Sequence, residues 1–172
     1  MLKISKKIFK LYRFILKHVY KLKIQKECYS YQKPLFVGGY SSVTSKTHLG
    51  KNVNFNGMKI KGHGVVKIGN NFHSGSECLM ITSIHNYNLG KSIPYDKTHI
   101  NKNIDIHDNV WLGDRVIILG GVSVGEGAII QAGSVIVSNI PKYAIAGGHP
   151  AKVFKYRDIE HYEKLKLEEK FC

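Results

Sequence analysis

From residue 100 onward the apolar residues recur every six positions, a period that fits neither a helix nor the two-residue alternation of an ordinary strand. A second row precedes the first by two positions, and its side chains become smaller toward its end. A period of six with paired inward residues predicts short strands and turns wound into a parallel β-helix, whose coils stack over one buried apolar column. The first row is Ile106, Leu112, Ile118, Val124, Ile130 and Ile136, and the second is Ile104, Val110, Val116, Val122, Ala128 and Ser134.

The same period occurs upstream of residue 85. Aligning "VVKIGNNF" (65–72) with "NVWLGDRV" (109–116) places Ile84 and Ile104 in one row although they are 20 residues apart, two more than a multiple of six. We therefore predict an excursion loop over residues 85–103 that leaves the β-helix and returns out of phase; its polar composition, with Gly90 and Pro94, suits a loop. The upstream row is Ile60, Val66, Phe72, Cys78 and Ile84.

The two ends of the chain have other patterns. Residues 1–27 have helical periodicity, with an apolar stripe on one face and basic side chains on the opposite face. A weak hexad at 49–57 predicts that the β-helix begins near residue 45 and extends to 140, and residues 141–172 read as an extended tail followed by a short helix with Asp158 as a candidate N-cap. The predicted fold is mainly β. The stripe is Ile4, Ile8, Leu11, Ile15, Val19 and Leu22, and the basic face is Lys6, Lys10, Arg13, Lys17 and Lys21.

The amphipathic segment 1–27 has two interpretations that the sequence leaves open. Its stripe packs on the rest of the protein or on a neighbouring subunit, or the helix lies in a membrane interface beside anionic lipids. Lysines interrupt every apolar run, so we expect neither a secretory signal nor a membrane-spanning helix. The segment matches no motif that reads nucleic acid, and we expect no nucleic-acid partner.

Charge and cysteine content refine this picture. The formal net charge is +14, but nine of the 26 basic residues lie within the first 26 positions, so the basicity belongs mostly to that segment. The three cysteines are scattered and form no CxxC pair, which suggests no disulfide framework. We therefore expect a cytoplasmic protein, with peripheral contact at the inner face of the cell membrane if segment 1–27 binds lipid.

The distal repeat resembles a known family. "NVWLGDRVIILGGVSVGEGAIIQAGSVIVSNIPKYAIAGGHPAKVFKYRD" is similar to the distal half of the hexapeptide-repeat acetyltransferases, in their galactoside/maltose and xenobiotic branch. The resemblance is nearest to the small O-acetyltransferases of bacterial capsule and lipopolysaccharide biosynthesis, and it covers roughly residues 45–157. It implies a left-handed parallel β-helix, a homotrimer, and acetyl-coenzyme A as co-substrate in a cleft between adjacent subunits, with no metal.

The resemblance also assigns a catalytic residue. In the family a histidine just before the excursion loop is the base, and "TSIHNYN" (82–88) places His85 at that position. A neutral imidazole can take the proton of an attacking alcohol near pH 7, which typically contributes about 10²–10⁴-fold to the rate. Because a thioester is already activated, direct transfer suffices and no covalent enzyme intermediate is needed. Asn86, Asp96 or a backbone carbonyl are the candidates to orient His85.

Other positions carry weaker expectations from the same resemblance. Trp111 lies beside the acceptor and coenzyme cleft, or else is an outward strand residue at the trimer interface. Asn86 and Tyr87 are candidates for acceptor contact. Gln131 and His107 stand where the family commonly has glycine, and Gln131 could alter the cleft wall. The remaining coenzyme-binding candidates are Ala132, Gly133, Ser134, Lys152 and Lys155.

The leading function is an acetyl-CoA-dependent O-acetyltransferase acting on a sugar hydroxyl of a bacterial surface polysaccharide or its precursor. Two alternatives stay open: an N-acetyltransferase of a nucleotide-linked amino sugar, and a non-catalytic hexapeptide-repeat scaffold. Some β-helical proteins are zinc-dependent carbonic anhydrases. Their zinc site has three histidines, two of which are five residues apart. The nine histidines here include no such pair, so we expect no metal site.

Overall fold

The computed structural model describes residues 6–172 as two helices and eighteen short strands. The helices are α1 (Lys6–Glu27) and α2 (Ile159–Leu167). The strands are β1 (Ser30–Tyr31), β2 (Leu35–Val37), β3 (Thr47–Leu49), β4 (Val53–Phe55), β5 (Met58–Lys61), β6 (Val66–Ile68), β7 (His73–Ser74), β8 (Cys78–Ile81), β9 (Ser83–His85), β10 (His99–Asn101), β11 (Ile104–Ile106), β12 (Trp111–Leu112), β13 (Ile117–Leu119), β14 (Ser123–Val124), β15 (Ile129–Ile130), β16 (Val135–Ile136), β17 (Ala144–Gly148) and β18 (Ala151–Tyr156).

The eighteen strands form three largely parallel sheets and one hairpin. Face 1 is β1-β3-β6-β11-β14, face 2 is β2-β4-β7-β12-β15-β17 with β18 added antiparallel at its edge, and face 3 is β5-β8-β13-β16. The chain visits the faces in turn, and partners on adjacent coils, such as Trp111 and Ile129, are eighteen positions apart, which is three hexads. This confirms the predicted mainly β fold built on a parallel β-helix.

The buried column is the one that the period predicted. Every member of the two rows from Ile104 to Ile136 is buried, and so are Ile60, Val66, Phe72 and Cys78 upstream. Ile84 is the exception, since it is 37% exposed and stands on the hairpin rather than in the coil. The prediction that Ile84 belongs to the buried row is therefore wrong, because the chain has already left the β-helix when it reaches this residue.

Both ends of the β-helix extend beyond the clearest repeats. Parallel pairing begins with β1 at Ser30, well before residue 45. Leu35 and Val37 of β2 are already buried, so the first coil forms although Pro34 interrupts the hexad. At the other end, β17 pairs in parallel with β15, so the segment expected to be an extended tail first adds another strand to face 2. Strand β18 then folds back on β17.

The excursion is a hairpin inserted between faces 3 and 1. Strands β9 and β10 pair antiparallel, with His85 opposite His99, and the chain departs at Ser83, slightly before the predicted 85–103. Ile68 and Ile106 are partners on adjacent coils although they are 38 positions apart. The hairpin therefore adds twenty residues to an eighteen-residue coil. Because twenty is two more than a multiple of six, it produces the phase slip seen in the sequence.

Helix α1 packs against the first coil, and α2 lies along the side of the later coils. Ile24 is the one residue of described α1 that is fully buried, and Ile4 of the predicted stripe lies outside the described residues. Neither helix within residues 6–172 is long and apolar enough to cross a membrane. Near the C-terminus of the chain, Asp158 caps α2 by accepting a hydrogen bond from the His161 backbone N–H, as the sequence indicated.

The stacked core makes a specific prediction about stability. Ile118→Ala removes a fully buried side chain of β13, and we expect it to lower the free energy of unfolding by about 2–5 kcal/mol. Ile93→Ala, at an almost fully exposed loop position, is the matched control and should change it by less than about 0.5 kcal/mol. Denaturant unfolding of both variants measures the difference, and equal losses would contradict the assignment of the core.

Candidate active site

His85 ends strand β9 and is held between two other rings. Its ring stacks on Tyr95, with centroids 3.7 Å apart and an interplanar angle of 13°, and the His99 ring lies 4.5 Å away at 39°. The antiparallel register of the hairpin produces this arrangement, because it sets His99 directly opposite His85. The imidazole is therefore fixed in orientation by aromatic contacts.

The two ring nitrogens of His85 differ in their surroundings. Nδ1 is shielded from solvent and has no hydrogen-bond partner among residues 6–172. A buried polar atom without a partner is uncommon in folded proteins, and such atoms concentrate at sites of function or of contact with another molecule. Nε2 is therefore the candidate nitrogen for contact with a ligand.

The expected orienting residues have other roles within the protomer. The Asn86 side chain accepts a hydrogen bond from the Leu89 backbone N–H at 3.1 Å. Asp96 accepts from the Thr98 hydroxyl at 2.5 Å, from the Thr98 backbone N–H at 2.8 Å and from the Lys91 backbone N–H at 2.9 Å. Both side chains therefore hold the loop in shape. Tyr87, the other predicted acceptor contact, is 64% exposed.

The Asp96 carboxylate is the group in this loop whose acidity is changed most. The hydrogen bond from the Thr98 hydroxyl, followed by those from the Lys91 and Thr98 backbone N–H groups, lowers the pKa of Asp96 to about 2. Donors that bond to the charged form favour ionisation, which is the direction observed. The loop next to His85 is thus closed around a carboxylate that stays charged at neutral pH.

Ala132, Gly133 and Ser134 form the turn that leads from face 2 into face 3. Gly133 has φ of +72°, and a Cβ added there would meet no atom within 4 Å, so its backbone is open to a ligand. The turn borders an open groove of about 460 Å³. The Ser134 side chain is buried and structural, because its hydroxyl donates to the Gln131 carbonyl at 2.6 Å and accepts from the Gly148 N–H at 3.1 Å.

Trp111 stands on the outer side of face 2 and is 53% exposed. Backbone pairing places it in one outward column with Ile129, Ile145 and Lys155. The fold therefore brings Trp111 and Lys155, two candidates for coenzyme contact, onto the same surface. Lys152 is exposed and lies opposite Gly147, at the hairpin whose Gly148 is bonded to Ser134.

A cavity of about 320 Å³ lies beside Trp111, beneath the C-terminal helix. Tyr162 in its wall accepts a hydrogen bond from the Asn109 side chain at 2.7 Å and donates to Glu126 at 3.1 Å. Burial raises the pKa of Tyr162 above its usual range, so this phenol stays protonated and keeps its donor role. The protein's own C-terminal segment therefore occupies one side of Trp111, a residue that the sequence placed at the coenzyme cleft or at the trimer interface.

Within one protomer His85 is not close to the corner formed by residues 132–134. Strand β8 of face 3 begins just after the corner between faces 2 and 3 and ends just before the His85 hairpin. Along the strand direction the four residues of β8 span roughly 13 Å at ~3.3 Å per residue, and the corner at residues 132–134 lies two coils further along the stack. The two candidate clusters therefore lie at opposite ends of the same face.

The sequence did not indicate that Tyr95 and His99 contact His85. The signal for this contact lies in hairpin pairing, which brings together residues ten or more positions apart. A loop of polar residues without apolar alternation carries no pattern that predicts its register. Among residues 6–172 no group of three or more metal-binding side chains lies together.

The repeat is similar to that of the hexapeptide-repeat transferases. Residues 103–138 match the family model described as "Bacterial transferase hexapeptide (six repeats)". The resemblance that the sequence suggested is thereby confirmed for the repeat. The matched residues contain the six strands β11 to β16 and the turns between them.

Relatives extend the resemblance. The chain is 31% identical over 108 residues to the galactoside O-acetyltransferase of Lactococcus lactis, covering 59% of this chain and 51% of that protein. It is 38% identical over 94 residues to a putative acetyltransferase of Schizosaccharomyces pombe, covering 51% and 42%. The chain therefore spans about half or less of the length of these curated relatives.

Solved structures support the same fold. A maltose O-acetyltransferase from Clostridium difficile superposes with a TM-score of 0.67 at 21% identity, covering 92% of this chain and 79% of that one. A galactoside acetyltransferase solved in complex with coenzyme A gives a TM-score of 0.59 at 27% identity, covering 81% and 65%. The parallel β-helix is shared by all three proteins.

The Asp96 carboxylate makes a prediction about pH. Its folded pKa of about 2 is below the ordinary 3.8, so the loop closure that it supports is complete above about pH 4 and is lost as pH falls through about 2. Carbon NMR of the Asp96 carboxyl should show this low titration, and Asp96→Asn should open the loop at neutral pH in hydrogen exchange of the Lys91 and Thr98 amides. An Asp96 that titrates near 3.8 would contradict it.

Proposed function

We propose that this protein is an acetyl-CoA-dependent O-acetyltransferase, acting on a sugar hydroxyl of a bacterial surface polysaccharide or its precursor. The observation that carries the proposal is the imidazole of His85, fixed between Tyr95 and His99 at one end of face 3, with the open backbone of Gly133 at the other end. The similarity to galactoside and maltose O-acetyltransferases supports a sugar hydroxyl as acceptor and acetyl-CoA as donor.

We further propose that the active unit is a homotrimer, because the site is incomplete in one protomer. Beyond Lys59 of β5, the outward column of face 3 is apolar over β8, β13 and β16, since Leu79, Ile117 and Val135 follow one another in register. An apolar outward column on a sheet suits packing against another subunit. In a closed ring each subunit presents one end of its face 3 to the other end of its neighbour's, so the His85 hairpin of one subunit can meet the Gly133 corner of the next.

The proposed chemistry is a direct transfer. His85 Nε2 accepts the proton of the sugar hydroxyl as its oxygen bonds to the thioester carbonyl carbon. The tetrahedral intermediate collapses by breaking the carbon–sulfur bond, and the thiolate leaves with the proton that the imidazolium returns. The products are the acetyl ester of the sugar and coenzyme A with a free thiol, and the imidazole is neutral again. The stack with Tyr95 keeps the ring from turning away during both proton transfers.

The coenzyme-binding candidates fit this assignment unequally. Ala132 and Gly133 offer an exposed turn that a pantetheine chain can approach closely. Lys152 and Lys155 are exposed donors on β18 for phosphate groups. Ser134 contributes only indirectly, by fixing the hairpin through Gly148. Trp111 shares its column with Lys155 and suits a contact with the coenzyme or with the neighbouring subunit.

The first test is removal of the base. His85→Ala should lower acetyl transfer by at least about 100-fold, since a positioned general base typically contributes 10²–10⁴-fold. A free-thiol assay with acetyl-CoA and a panel of sugar hydroxyl and amino-sugar acceptors measures the rate and separates O- from N-transfer. His161→Ala, at an exposed position of α2, is the matched control and should keep full activity.

Calorimetry with coenzyme A completes this test. His85→Ala should bind the coenzyme as the parent protein does, because the imidazole acts on the acceptor. Full activity in His85→Ala would refute the mechanism. Failure of the parent protein to bind coenzyme A would favour a non-catalytic scaffold instead.

The second test concerns the ring stack. Tyr95→Ala should lower kcat about tenfold or more with little change in the KM for acetyl-CoA, because a freely turning imidazole spends less time in the productive orientation. Tyr95→Phe keeps the stacking surface and should keep most of the activity. If the phenylalanine variant loses as much as the alanine variant, the hydroxyl and not the stacking is what matters.

A further inference from the structure

Helix α1 uses one side to attach to the coil. Ile24 enters the core, Tyr20 meets Tyr40 edge to face at 5.7 Å, and the Lys23 ammonium donates to the Ser41 carbonyl at 3.0 Å. The Glu27 carboxylate accepts from the Val43 backbone N–H at 3.3 Å. All of these contacts lie in the last third of the helix. The earlier turns extend beyond the coil.

The apolar stripe of α1 is on a different side. Leu11 is 60% exposed, and Ile15, Val19 and Leu22 are each 51% exposed. At about 100° per residue, these four side chains point on average roughly 165° away from the direction of Tyr20 and Ile24. These residues therefore do not pack on the described part of their own chain, and a neighbouring subunit or a membrane interface stays open as the partner of the stripe. The attachment through Ile24 turns the stripe outward.

The charge of α1 indicates what can cover the stripe. Nine basic residues and no acid occur before Glu27, and Lys6, Lys10, Arg13 and Lys17 are all exposed. If copies of this helix packed together through their stripes, these like charges would be concentrated without any opposing carboxylates, which is unfavourable. An anionic lipid surface instead offers apolar depth to the stripe and negative headgroups to the basic side chains.

We propose that α1 is an interfacial anchor that docks the protein on an anionic lipid surface, with Leu11, Ile15, Val19 and Leu22 in the acyl boundary. A helix is only about 10 Å in diameter, so its basic side chains stay within about one Debye length of the headgroups even when they face away. Aromatic residues at Phe9, Tyr12 and Phe14, which are all half or more exposed, suit the same boundary. This docking is independent of the acetyltransferase chemistry.

The experiment is sedimentation of the full chain with vesicles. Vesicles of phosphatidylcholine mixed with phosphatidylglycerol should bind the protein at least about tenfold more tightly than phosphatidylcholine alone, and added salt should weaken binding. The variant Leu11→Ser, Ile15→Ser, Val19→Ser should lose at least about tenfold of this binding. Leu167→Ser, an exposed apolar position of α2, is the matched control and should bind normally.

A second pair of variants tests the charges. Lys6→Gln, Lys10→Gln, Lys17→Gln should lower binding to the anionic vesicles about tenfold or more. Lys33→Gln, Lys51→Gln, Lys61→Gln removes the same charge from exposed coil positions and should have a much smaller effect. Far-ultraviolet circular dichroism checks that each variant keeps its fold.

Three results would overturn the proposal. They are equal binding to neutral and anionic vesicles, no vesicle binding by the parent protein, and a stripe variant that changes the oligomeric mass while leaving vesicle binding unchanged. The last result would identify a second copy as the partner of the stripe. Acetyl transfer to a small soluble sugar should be unaffected by the stripe variant, so failure of the docking proposal and failure of the proposed activity can be told apart.

Discussion

The structure depends on the parallel pairing of eighteen-residue coils over one apolar column. Each strand is only two to four residues long in most coils and would be unstable alone, but the strands of the inner coils pair with the coil before and the coil after them. This pairing requires equivalent residues to recur at the same place in each turn. The hexad rows from Ile104 to Ile136 satisfy that requirement without a break.

The same constraint determines where the molecule can vary. A coil that must rejoin its neighbour in register can carry an insertion only at a corner, and the His85 hairpin leaves between faces 3 and 1 and returns so that Ile68 and Ile106 still pair. Chemistry-bearing side chains thus collect at corners and on outward positions, while inward positions are taken by the column. His85 and Gly133 illustrate this, since each lies at a turn beside face 3.

The proposed completion of the site by assembly has its reason in the same geometry. Because the column fills the interior, a single β-helix has no internal cleft, and clusters at different corners cannot approach each other across the core. The apolar outward column of Leu79, Ile117 and Val135 lies between the two clusters and suits contact with a second copy. The N-terminal helix contacts the coil differently. Ile24 attaches the C-terminal end of α1 to the coil, and the apolar stripe on the other side of the helix stays exposed.

The sequence by itself determined the β-helix, its buried rows, the existence of an excursion and the cap of α2, because each of these depends on local periodicity or on residues three to six positions apart. It singled out His85 as a candidate base through the break in phase and the resemblance to a family. Only the tertiary structure decided that Tyr95 and His99 enclose that ring, that Ile84 leaves the column and that the stripe of α1 faces outward. These features follow from hairpin register and from the docking of a helix on a coil, and such long-range contacts leave no repeating pattern along the chain.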